Sequence, residues 1–172
     1  MRIIAGQWRG RALRVPRGEA IRPTGDRARE AWMSIVSPYL PGARVIDLFA
    51  GSGALGLEAL SRGAIFCDFV DVSAISLRTV KENAETLGAI PQLELHKHDA
   101  YAFVNRLDAG AYDLAFADPP YHKGLAAQLA NLWLERPFAH ILGVEHEVHD
   151  EVPMGGETRR YGATAITIYG RE

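Results

Sequence analysis

The chain has 172 residues, 48% of them apolar and 23% charged, with a formal net charge of −2. That length fits one domain with a sizeable core, and no apolar run is long enough to cross a membrane. Met1-Arg-Ile-Ile-Ala-Gly6 lacks the apolar core and cleavage site of a secretory leader, so a cytoplasmic location is expected. The lone cysteine, Cys67, excludes an internal disulfide and reads as a small buried apolar residue.

Charge is unevenly spread. Residues 1–30 hold eight arginines against Glu19, Asp26 and Glu30, a local charge of +5, which leaves −7 on the rest. All eight cations are arginine, the residue suited to bidentate phosphate contacts and to stacking on bases. A basic cluster on an otherwise acidic chain marks a nucleic-acid footprint, with Arg9, Arg11, Arg14, Arg22 and Arg27 as its candidate contacts. The alternative is a solvated basic hairpin.

In chain order, residues 2–5 and 10–15 are predicted as two short strands around Gly6-Gln-Trp-Arg-Gly10. Together they define a small N-terminal basic β-hairpin extension over residues 1–25, ahead of a main domain over 26–172. Trp8 either anchors that hairpin or offers a stacking surface. Arg22-Pro-Thr-Gly-Asp26 breaks the chain, and Asp26 or Thr24 caps a helix running to about Val36, ended by Pro38 to Gly42. Strands at 44–49, 65–70, 92–97 and 113–117 then alternate with helices near 54–61, 74–87, 100–108 and 124–134. A strand near 140–146 follows, and Thr158 to Tyr169 is predicted as a closing β-hairpin. The alternation implies an α/β fold with a mainly parallel sheet and an antiparallel edge.

Two stretches carry chemistry. Val45-Ile-Asp-Leu-Phe49 followed by Gly51, Gly53 and Gly56 reads as strand, glycine turn and helix, with Asp71 twenty residues beyond Gly51. That pattern suits a nucleoside cofactor whose ribose hydroxyls meet the acid. Asp47 lies inside the first strand, where a dinucleotide fold wants only apolar residues. It either bonds backbone locally or faces a ligand's ammonium, and the second option favours S-adenosylmethionine over NAD. The other stretch is Asp118-Pro-Pro-Tyr121, at the C-terminal edge of a strand. The carboxylate and the Pro119 carbonyl can accept from one amine, the prolines supply no competing N–H, and the Tyr121 ring can stack on a planar base. The bland alternative is a Pro-Pro turn with a packed aromatic.

Arg2 to Arg11, Arg22 to Glu30, Asp47 to Gly63 and Asp118 to Tyr121 together resemble the RsmD family. Its members are bacterial S-adenosylmethionine-dependent methyltransferases acting on N2 of one guanine in 16S ribosomal RNA. The resemblance implies a Rossmann-like class I fold with a seven-stranded sheet, and a substrate presented in the small ribosomal subunit or an assembly intermediate. It implies that Gly51 and Gly53 let backbone approach the cofactor and that Asp47 meets its methionine end. It further implies that Asp71 binds the ribose and Asp99 the adenine amine, with Phe49, Val72 and Ala100 completing the cofactor site. Asp118, Pro119, Pro120 and Tyr121 would form the catalytic turn. Ser73 stands where many relatives carry a second acid.

A monomer without a metal or a membrane partner is expected. His96 and His98 share a strand face but have no third ligand at a recognisable spacing, and Glu145-His-Glu-Val-His149 lacks the HExxH spacing. An adenine-N6 or other amino-methyltransferase, and a NAD-type oxidoreductase, are the competing functions.

Overall fold

The computed structural model describes residues 1–18, 25–121 and 123–170. Seven strands form one sheet: β1 (Arg44–Leu48), β2 (Phe66–Asp71), β3 (Leu93–Lys97), β4 (Tyr112–Ala117), β5 (Ala139–Glu147), β6 (Gly156–Tyr161) and β7 (Thr164–Tyr169). Their order across the sheet is β3-β2-β1-β4-β5-β7-β6. The first five run parallel, and β7 lies antiparallel between β5 and β6. The closing hairpin thus forms as expected and supplies the antiparallel edge.

The five helices are α1 (Gly25–Val36), α2 (Ala54–Ser61), α3 (Ala74–Leu87), α4 (Ala100–Val104) and α5 (Leu125–Glu135). Helix α4 is shorter than the predicted 100–108, because Arg106 and Leu107 already bond three residues back, to Phe103 and Val104, and so tighten the chain out of the helix. Ser73 caps α3, its hydroxyl accepting the Ser76 N–H at 3.2 Å. Thr24, one of the two predicted caps of α1, lies outside the described residues.

Covering both faces of the parallel strands leaves β1 buried at four of five positions. On one face α1, α2, α3 and the N-terminal segment pack Trp32, Leu57, Leu60 and Val80 over Phe69 and Phe116. On the other, α4 and α5 pack Val104 and Leu129 over Ile46, Leu48 and Val70. Helix α2 lies very close to the sheet. A Cβ on Gly56 would sit 2.7 Å from the Cys67 sulfur and would strike the Phe69 ring, so only glycine fits. Cys67 itself is fully buried, as expected. Edge strand β6 is exposed along nearly its whole length and carries Glu157, Arg159 and Arg160, charges that discourage pairing with another chain.

The two N-terminal strands are reduced to a single antiparallel bridge between Arg2 and Ala12. Beside that bridge Ile3 N bonds Arg11 O, Gly10 N bonds Ile3 O and Leu13 N bonds Met1 O at 2.8–2.9 Å, and the segment finds further partners on α2 and α3. Buried Glu58 accepts the Ile4 and Ala5 N–H groups at 2.9–3.1 Å, and Ser61 Oγ accepts from Trp8 N at 3.0 Å. Asn83 exchanges hydrogen bonds with the Arg14 backbone and also donates to Ser52 O at 3.0 Å. Trp8 packs into the core with 8% of its surface exposed, so it anchors the segment.

Candidate active site

Strand order reverses at β1, whose neighbours are β2 on one side and β4 on the other. Open α/β sheets bind ligands at such a switch point, beyond the strands' carboxyl ends. A cavity of about 560 Å³ opens there. Its walls include Asp47, Phe49, Gly51, Asp71 and Val72 from the glycine-loop half, together with Asp118 and Pro120 from the end of β4. Two segments about seventy residues apart in sequence therefore meet because β1 and β4 are paired, Leu48 opposite Ala117.

The loop after β1 is held by carboxylates. Asp71 Oδ2 accepts the Gly51 N–H at 2.9 Å and its Oδ1 accepts the Ser73 N–H at 2.8 Å. Asp47, 1% exposed, accepts the Gly56 N–H at 2.9 Å through Oδ2, which is the local backbone bond open to it from sequence. Burial raises its pKa well above the ordinary carboxylate value, the Gly56 bond opposes that rise, and the negative charges of Asp118 and Asp71 add to it. Phe49 adopts a left-handed backbone with φ 59°, a costly conformation for a bulky residue, at a position where its ring meets that of Tyr101 edge-on.

Other expected residues stand apart from this cavity. Gly53, in the left-handed conformation with φ 81°, precedes α2 and is not in the cavity wall. Asp99 is exposed and caps α4, accepting the Ala102 N–H at 2.9 Å, and neither it nor Ala100 reaches the wall. Pro119 and Tyr121 line a smaller neighbouring pocket of about 130 Å³, which shares Pro120 and Glu145 with the larger one. The Tyr121 hydroxyl donates to Glu145 Oε1 at 2.9 Å and lies 3.1 Å from Thr164 Oγ1. Strands β5 and β7 thus hold that ring in place.

The basic cluster divides. Arg9, Arg11, Arg14 and Arg27 are exposed, whereas Arg22 lies outside the described residues. Arg11 Nη2 bonds Thr86 O at 2.8 Å, and Arg14 makes a 3.4 Å exposed ion pair with Glu82. Arg29, counted in the same charge run, is 6% exposed and lines the cavity. Its Nη2 donates to Arg2 O at 2.8 Å, while Nε and Nη1 have no hydrogen-bond partner among the described residues. Burial lowers its pKa against the raising effect of Glu58 and Asp26. The indole N–H of Trp32, also in the wall and fully buried, likewise has no partner among the described residues.

Arg29, Trp32 and Glu145 are among the cavity residues that sequence reading missed. The usable signal was the helical spacing Asp26, Arg29, Trp32, which puts an acid, a base and an indole on one face of α1. His96 bonds Asp68 at 2.8 Å on the opposite side of the sheet, where Asp68 also accepts from Tyr112 at 2.6 Å; among the described residues Glu94, and not His98, is the third possible ligand within 4.8 Å of this pair, one that sequence spacing did not reveal.

The family model described as Conserved hypothetical protein 95 matches residues 1–170. Ribosomal RNA small subunit methyltransferase D of Escherichia coli strain K12 is 38% identical over 184 residues, covering 100% of this chain and 90% of that protein. Its Haemophilus influenzae namesake is 39% identical over 137 residues, 78% of this chain and 71% of that one. The solved structure of the Escherichia coli protein yhhF superposes with a TM-score of 0.84 at 35% identity, covering 100% of this chain and 98% of the other. With its fold, its switch-point cavity and these relatives in agreement, the chain belongs to the RsmD family of S-adenosylmethionine-dependent ribosomal RNA methyltransferases.

Proposed function

We propose that the protein transfers a methyl group from S-adenosylmethionine to the exocyclic N2 amine of a guanine in 16S ribosomal RNA, within the small subunit or an assembly intermediate in the cytoplasm. One observation carries this reading: the glycine-loop half and, from the turn after β4, Asp118 and Pro120 open into one cavity. Relatives at 38–39% identity are named as small-subunit ribosomal RNA methyltransferases.

The donor set suits the cofactor. Arg29 offers a carboxylate two donor nitrogens, Nε and Nη1, that have no partner among the described residues, Asp47 and Asp71 offer acceptors to an ammonium and to ribose hydroxyls, and a Cβ on Gly51 would meet nothing within 4 Å, so backbone can approach a ligand there. Bound S-adenosylmethionine supplies an electrophilic methyl on a sulfonium. The protein's task is then to aim the amine. A guanine N2 lone pair is delocalised into the ring until the nitrogen pyramidalises. Asp118 and the Pro119 carbonyl accept its two hydrogens and favour that shape. Attack by N2 would displace the sulfide, which would keep the electron pair of the carbon–sulfur bond. Positive charge would grow on N2, where the Asp118 carboxylate would stabilise it until one N2 proton passes to solvent water.

Tritium transfer from labelled cofactor to small subunits, followed by nucleoside analysis, should yield N2-methylguanine. Asp118→Ala should lower the single-turnover rate by about 10²–10³-fold, with S-adenosylhomocysteine affinity near that of the wild type. Label in adenine or in protein, or a near-normal rate for the variant, would count against the proposal.

A further inference from the structure

We propose that Glu145 is the residue that selects guanine, by accepting the N1–H beside the reacting amine. This rests on the guanine-N2 reading above. An Asp-Pro-Pro-Tyr turn recognises an amine and a flat ring, so by itself it does not tell guanine N2 from adenine N6. The neighbouring ring atom does. In guanine, N1 beside the amine is a donor; in adenine, N1 beside the amine is an acceptor. A fixed carboxylate at that spot accepts from the first and repels the second.

Glu145 is placed to be that carboxylate. Strands β4 and β5 are parallel and in register through Ala117 opposite Val144, so Asp118 and Glu145 occupy the next rung. Adjacent strands lie about 4.8 Å apart, and same-rung side chains point to the same face. Both residues line the large cavity, and Glu145 is 9% exposed. The same wall carries an independent mark of a ligand, the fully buried Trp32 indole N–H, which has no partner among the described residues. That indole lies against Gly143, two residues before Glu145 on the same face of β5. Aligned acceptors at Asp118 and Glu145 with a donor behind them complement an edge that presents two donors and a carbonyl, as guanine does.

Glu145 also ties recognition to stacking. Its Oε1 already accepts from the Tyr121 hydroxyl at 2.9 Å, a bond that fixes the carboxyl group at the cavity wall. One side chain therefore fixes both the ring that covers the base and the acceptor that reads its edge.

The test compares small subunits reconstituted with guanine, or with 2,6-diaminopurine, at the position the wild-type enzyme methylates. The analogue keeps the N2 amine and converts N1 to an acceptor. Wild-type enzyme should prefer guanine by about 10–100-fold, the range expected for one hydrogen bond to a charged group. Glu145→Gln, whose amide can donate to N1, should collapse or reverse that preference. Tyr121→Phe removes the hydroxyl that bonds Glu145 and Thr164 but leaves the Glu145 carboxylate, so it should slow both substrates while keeping their ratio. An unchanged ratio in Glu145→Gln overturns the proposal. If that variant fails to fold, equal wild-type rates on the two bases overturn it and a guanine preference supports it. Failure of the guanine-N2 reading is a separate result: wild-type enzyme would then leave no N2-methylguanine at all.

Discussion

Asp47 holds a carboxyl group in the middle of the sheet, bonded to the Gly56 N–H and 1% exposed. Its folded-state pKa is raised, chiefly by burial, so the ionised form is the costly one. The stability tied to this group is complete below the ordinary carboxylate pKa and is lost as pH rises through the raised value. Asp47→Asn keeps an oxygen for Gly56 and removes the charge. The variant should melt above the wild type at neutral pH, the gap should shrink toward acid, and S-adenosylhomocysteine should bind it more weakly, an exchange of stability against function. Melting curves across pH, with calorimetry at one pH, check this; a gap that stays constant from neutral to acid pH would count against it. Asp47 was legible from sequence because a carboxylate inside an apolar run stands out. Arg29 and Glu145 were not. Arg29 sits within a charge run that elsewhere faces solvent, and Glu145 follows the ordinary alternation of Glu145-His-Glu147. Only strand register brings Glu145 beside Asp118, and register is not written in either segment alone.

The N-terminal segment shows the same limit at the level of an element. Alternation and glycines predicted a hairpin; residues 1–3 and 10–13 do bond across the turn, but the pairing stays short because Glu58, Ser61 and Asn83 take the backbone N–H groups of Ile4, Ala5, Trp8 and Arg14. Helix α2 reads as apolar, and it is buried nearly throughout, between the sheet and this segment. A buried glutamate on such a helix has meaning only once the segment is docked. Because the main anchors are backbone bonds and the buried Trp8 ring, while the Arg11–Thr86 bond and the Arg14–Glu82 pair are exposed, the arginine side chains can be removed while the segment stays in place. Changing Arg9, Arg11 and Arg14 together to Ala should weaken RNA binding and lower the log–log salt slope by about 1 for each phosphate that is no longer neutralised. The melting temperature should change little, since the Arg14–Glu82 pair is exposed and such pairs contribute little. A lower melting temperature with the same salt slope would instead make the arginines props for the fold.

Across the whole molecule, alternating strands and helices made the parallel sheet and its antiparallel edge legible, but not the order that joins β1 to β4. That order is a property of packing, since each βαβ unit must lie against one already formed. The same packing places the only thiol of the chain, Cys67, on β2 directly under Gly56 of α2, with none of its surface exposed. Burial, followed by the charges of Asp47 and Asp68, also drives its pKa well above the usual thiol value, so the closed protein presents almost no thiolate. A thiol reagent can then reach Cys67 only during moments when α2 lifts from the sheet. The labelling rate becomes a clock for how often the nucleotide half comes apart. A ligand held by the closed form alone, present at about 100 times its dissociation constant, should slow that clock by about 100-fold. The protein thus reports its own cofactor occupancy without a dye, a tag or a turnover, and a labelling rate indifferent to S-adenosylhomocysteine would mean that α2 opens with the ligand still bound.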